Sequence, residues 1–161
     1  ALERNAFLGV IFIAMGVGHG VRVGRWHDAG LWKVPLLWSL HLAYYWFVVA
    51  FLAMGLWHLE WIDNFSVAVH ALTVGGMAGL LLGMIARVTL GHTGRMLSPP
   101  KAMVIGFAIF NAGALFRVFG VGVAYIGFLW LAALCWFVAL LIYLVNYGPM
   151  LWKARVDGAP G

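Results

Sequence analysis

The chain has 161 residues, 65% of them apolar and 9% charged, with a mean hydropathy of +0.98. Soluble domains carry roughly 45–50% apolar and 25% charged residues, so this composition excludes a water-soluble globule and predicts a single membrane domain over residues 1–161. The formal charge of +5 is scattered over the ends of apolar runs, which excludes nucleic-acid binding, and the lone Cys135 excludes an internal disulfide framework or a zinc-type cysteine pattern.

A hydrocarbon core of roughly 30 Å takes about 20 helical residues. About five runs of that order predict an all-α, polytopic transmembrane helix bundle. The first run, Asn5 to Gly20, is short and has His19 at its end. It lacks a basic region before it and a small-residue cleavage site after it, so it does not read as a secretory signal, and a start at Ala1 instead of Met fits processing or a longer parent chain. The loop from Val21 to Pro35, with Arg22, Arg25, Trp26 and Trp32, suits an interfacial segment, and His27 within it reads as solvated. The second run, Leu36 to Trp57, carries His41 about 8 Å inside its start, flanked by Tyr44 and Tyr45, and ends next to His58.

The third run, Phe65 to Leu90, holds His70 about five residues in and is followed by His92. Ala71, Gly75, Gly79 and Gly83 form a stripe of small residues on one face, which lets another helix approach closely. The same face offers a site for a membrane-protein partner or self-association. His70, Met77 and Met84 recur at seven-residue steps and are expected to share a face. Ser98, Pro99 and Pro100 break the chain before the fourth run, Ala102 to Phe119, which contains Asn111 and Arg117. Gly120 and Gly122 supply a turn, and the fifth run, Ala124 to Tyr147, buries Cys135 as a small apolar packing residue.

With alternating spans, Arg22, Arg25, Lys33, Arg87, Arg95, Lys101, Lys153 and Arg155 fall on one side, and Glu3, Arg4, Glu60, Asp63 and Arg117 on the other. The positive-inside rule then places the N-terminus outside and the C-terminus in the cytoplasm.

Ionisable groups inside a membrane are costly and mark functional sites. Counting depth puts His19, His41 and His92 at one level, with Arg87 and Arg95 close by, and His58, His70 and Arg117 at the other. Imidazole with thioether is a ligand set for haem iron or copper, and one histidine per helix can assemble a site between helices. Bidentate arginines such as Arg87 and Arg95 suit haem propionates. Each residue also has a plainer reading: a hydrogen bond to a neighbouring helix for His41, His70 and Asn111, interfacial anchoring for His19, His58 and His92, snorkelling for Arg117, and core filling for the methionines. The acidic residues all lie outside the spans, which speaks against proton-abstracting hydrolysis.

The stretch from His70 to Gly79, continued by Met84-Ile85-Ala86-Arg87-Val88-Thr89-Leu90-Gly91-His92-Thr93-Gly94-Arg95, resembles the C-terminal part of the NnrS family. Leu40-His41-Leu42-Ala43-Tyr44-Tyr45-Trp46 is similar to the motif of the preceding helix in that family, and the likeness is best over Ser39 to Ser98. The resemblance implies a bacterial inner-membrane protein carrying haem and copper, linked to nitric oxide metabolism and nitrosative stress, acting by small-ligand binding or electron transfer. It makes His41, His70 and His92, with His19 at the same level as two of them, the ligand candidates, and Arg87 and Arg95 the partners of anionic groups. Family members carry more spans than this chain, which also fits an accessory or assembly subunit of a larger respiratory or photosynthetic membrane complex.

Overall fold

The computed structural model describes residues 3–158, so Ala1 and the outer limits of the expected 1–161 domain lie outside the described residues. All five expected spans are helices long and apolar enough to cross a membrane. They are α1 (Ala6–Arg25), α2 (Pro35–His58), α3 (Phe65–His92), α4 (Lys101–Val118) and α5 (Tyr125–Trp152). Short 3-10 turns at Ala29–Lys33 and Gly120–Gly122 occupy the α1–α2 and α4–α5 loops, and no strand occurs among the described residues.

Local chemistry sets the helix ends. The Asn5 side chain accepts from the backbone N–H groups of Phe7 and Leu8, Asn64 does the same for Ser66, and Pro35 occupies the first turn of α2, where its missing N–H costs nothing. α1 does not stop at Gly20 but continues through Arg22 and Arg25, whose charges complement the carbonyl end of the helix. His19 therefore lies about 9 Å inside the helix instead of at its boundary. α2 and α3 end alike: Trp61 N–H bonds back to the Leu56 carbonyl at 2.9 Å, and Arg95 N–H to that of Leu90 at 2.9 Å. This ending requires a left-handed residue, supplied by Gly94 (φ 71°) after α3 but by Glu60 (φ 63°) after α2. A side chain in that conformation costs about 1–2 kcal/mol, so Glu60→Gly is expected to stabilise the fold by about 1 kcal/mol. Equilibrium unfolding in detergent checks this.

In the bundle α2 packs between α1 and α3, α4 and α5 form an antiparallel pair, and α3 also touches α4 and α5. The glycine stripe does bring helices close, and its partner is α2 of the same chain. A Cβ on Gly83 would meet Leu40, one on Gly79 would meet Ala43, and one on Gly75 would enter the Trp46 ring. Ala71, Gly75, Gly79 and Gly83 are all buried. This corrects the expectation that the face serves partner binding or self-association, because α2 already fills it. α2 is as central as α3: it buries Trp46, Ala50 and Trp57, and Trp46 Nε1–H donates to Asn111 Oδ1 of α4 at 3.2 Å.

Within α3, residues Ala71–Ala78 form a π-helix. Each π turn takes up roughly one residue more than an α turn, so the seven-residue spacing of His70, Met77 and Met84 no longer keeps one face. His70 turns to Arg117, while Met77 and Met84 are exposed. Between α1 and α2 a file of rings runs through the bundle: His58 on Phe12 (centroids 5.6 Å), Phe12 on Phe51 (6.4 Å), Phe51 on His19 (5.2 Å), His19 on Tyr44 (5.6 Å) and Tyr44 on Trp26 (5.4 Å). The outer surface of α5 exposes Trp130, Phe137 and Leu144, an apolar area whose natural solvent is the lipid bilayer.

Candidate haem and metal site

His41 stands in the second turn of α2 and is 6% exposed. Its Nε2 is buried and has no hydrogen-bond partner among the described residues. A buried polar nitrogen without a partner costs about 1–3 kcal/mol, which makes His41 Nε2 a candidate ligand atom. The Tyr45 ring meets the imidazole edge-on with centroids 5.1 Å apart, and the His27 ring lies 5.9 Å away. His27 is exposed, as a solvated loop residue should be, and its nearness to His41 is what the sequence did not show. Asp28 Oδ1 accepts from Gly30 N–H at 2.7 Å and starts the 3-10 turn, next to which His27 is folded back over His41.

The other histidines stand in different surroundings. His19 Nδ1 and the Tyr44 hydroxyl are 2.6 Å apart. His58 Nδ1 accepts the Asn5 backbone N–H at 3.1 Å, and its ring stacks on Phe12, which makes it a tie between the start of α1 and the end of α2. His92 is exposed at the end of α3 and lines an open cleft of about 430 Å³ with Met84, Arg87 and Arg155. Arg155 was not anticipated from sequence. Its Nη1–H donates to the His92 carbonyl at 3.0 Å, and its Nε and Nη2 grip Asp157 at 3.0 and 2.6 Å. Those bonds to Asp157 hold the guanidinium above its ordinary pKa. Arg95 lies apart from the cleft lining and donates to the Thr93 carbonyl at 3.3 Å.

His70 uses both ring nitrogens. Nδ1–H donates to the Ser66 carbonyl at 2.7 Å, and Nε2 accepts from Arg117 Nη2 at 2.6 Å. Its lone pair is therefore occupied. Among the described residues no three His, Cys, Asp or Glu side chains approach closely enough to hold a metal ion. His19, His41 and His92 thus do not converge, although counting depth puts them at one level, because depth says nothing of which way each helix turns its side chain. The structure sets His27 beside His41, bonds His70 to Arg117, and places His92 and Arg87 on one cleft.

No curated protein and no solved structure matches the chain. The family model described as NnrS protein matches residues 1–155, nearly the whole length, and the chain belongs to the NnrS family.

Proposed function

We propose that this multi-pass membrane protein binds haem, with copper as a second cofactor, through His41 and serves nitric oxide metabolism or the relief of nitrosative stress. Family membership supports the link to nitric oxide. The observation that carries the cofactor assignment is the buried, unpartnered Nε2 of His41. Imidazole in that state fits an axial ligand of haem iron or a copper ligand.

A bound haem would supply reversible coordination of a diatomic ligand or one-electron transfer. The chain's own groups supply the setting. Tyr45 flanks the imidazole, and His27 is the nearest second imidazole. An apolar groove of about 270 Å³, lined by Tyr45, Trp46, Asn111 and Phe119, offers a small apolar molecule a place beside them. Of the remaining ligand candidates, His92 is the most open, His19 shares a hydrogen bond with Tyr44, and His70 is engaged on both nitrogens. Arg87, beside His92, is better placed than Arg95 to take an anionic group.

The basic residues at the Arg25 end of α1 support a bacterial inner-membrane orientation with the N-terminus outside. Absorption spectra of the purified chain, oxidised and reduced, with elemental copper analysis, test the reading. A Soret band that shifts with nitric oxide is expected, and absence of both haem and copper would reject it.

A second reading is favoured by the absence of a three-ligand group among the described residues. The chain would then be an accessory or assembly subunit of a larger respiratory or photosynthetic membrane complex, whose partner completes the ligand set. Purification in mild detergent distinguishes the two: a partner at fixed stoichiometry supports it, and a lone chain with full cofactor content opposes it.

A further inference from the structure

At the end of the bundle opposite His41, the α2–α3 and α4–α5 loops enclose a cavity of about 690 Å³, lined among others by Asp63, Asn64, Ser66, Arg117, Phe119 and Tyr125. Asp63, its acidic residue, is paired with Arg4 at 2.9 Å. Arg117 has no carboxylate within ion-pair distance among the described residues. Its position in the last turn of α4 tolerates a positive charge, since the carbonyl end of a helix favours cations. That does not satisfy its donors. One N–H bonds to His70 Nε2, and the rest of the planar fork makes no hydrogen bond among the described residues.

The His70 bond sets direction without removing charge. Ser66 fixes the imidazole as the Nδ1–H form by accepting from it, which turns the Nε2 lone pair toward Arg117. A neutral acceptor thus holds the guanidinium by one edge at the wall of the cavity and leaves its charge uncompensated. Asn64 Oδ1 accepts from Ser66 N–H, which leaves its amide N–H groups for an occupant, and Tyr125 also lines the cavity. A guanidinium edge with an amide donor on the same lining matches a planar anion, which accepts two parallel N–H bonds.

We propose that this cavity binds a carboxylate or small oxyanion on Arg117, with His70 as the positioning residue. The site is separate from His41 and requires no cofactor.

The test uses the wild-type full chain in dodecyl maltoside, a detergent without phosphate. Phenylglyoxal modification of Arg117 is followed by mass spectrometry with formate, nitrite or chloride present. Formate and nitrite are expected to slow modification about threefold at twice their dissociation constant, and chloride to leave it unchanged. A lipid headgroup is the other source of the same chemistry. Protection by phosphatidylglycerol vesicles but not by formate or nitrite assigns the occupant to a lipid phosphate and still supports the site. Arg117→Lys keeps the charge but loses the fork, and is expected to weaken formate binding about tenfold in calorimetry. His70→Leu should weaken it less, and His70→Gln, which keeps an acceptor, should restore part of it. Arg117 modified at one rate in every medium, or formate binding unchanged in Arg117→Lys, overturns the proposal.

Discussion

If His41 carries the proposed haem, its replacement by leucine is expected to abolish the Soret absorbance of the purified protein while leaving the helices intact. Removal of a ligand takes the cofactor with it. The direction of the stability change separates this role from simple packing. In the cofactor-free chain, the buried Nε2 has no partner among the described residues, and leucine of similar size removes that unmet demand. The cofactor-free His41→Leu variant should therefore be more stable than the cofactor-free parent, by about 1–3 kcal/mol. A histidine that served the fold through hydrogen bonding would change stability in the opposite sense. Optical spectra and detergent unfolding of both proteins read the two quantities, and a variant that keeps the full band rules out His41 as the ligand.

Gly75→Leu is expected to have the largest effect on the fold, a loss of about 3 kcal/mol or more, since overpacking of a close helix contact costs about 1–3 kcal/mol even where neighbours can yield. Here the first added carbon already lies within the Trp46 ring. Trp46 is held in place, because its indole N–H is tied to Asn111 and it belongs to one buried cluster with Ala50, Ala71 and Ala114. Gly18 is the control, with nothing within 4 Å of the position its Cβ would take. Gly18→Ala should be neutral or stabilise α1 by about 0.5–1 kcal/mol. Unfolding in mixed micelles compares the two, and a tolerated leucine at position 75 would show that α2 and α3 do not pack through this contact.

The five spans were legible because lipid selects long apolar runs, and hydropathy records them directly. The helix ends were less so. Gly20 resembles a stop signal, yet α1 runs on to Arg25, since a glycine that still makes its helical hydrogen bonds weakens a helix without ending it. The small-residue stripe announced a close contact but not its partner, which is set by Leu40, Ala43 and Trp46 meeting Gly83, Gly79 and Gly75 in antiparallel order. The π segment left no mark in the composition of Ala71–Ala78, and it undid the expected alignment of His70 with the two methionines. In the site, counting depth brought His70 and Arg117 to one level, and they do meet. It failed for His19, His41 and His92 because level is one coordinate and facing direction another. His27 is exposed, as the charged loop implied, while its nearness to His41 was not legible because a loop's path is fixed by a turn, here the one begun at Asp28.

The file of rings from His58 to Trp26 lies entirely between α1 and α2, and among the described residues α1 packs on no other helix of the bundle. α1 therefore depends on α2 alone for its place in the bundle, and the file of rings registers one helix against the other over most of their length. α5 leans mainly on α4, which makes a hairpin at the other edge. A chain cut in the loop between α1 and α2 is therefore expected to retain the α3 contacts of α2 while losing what holds α1 in place.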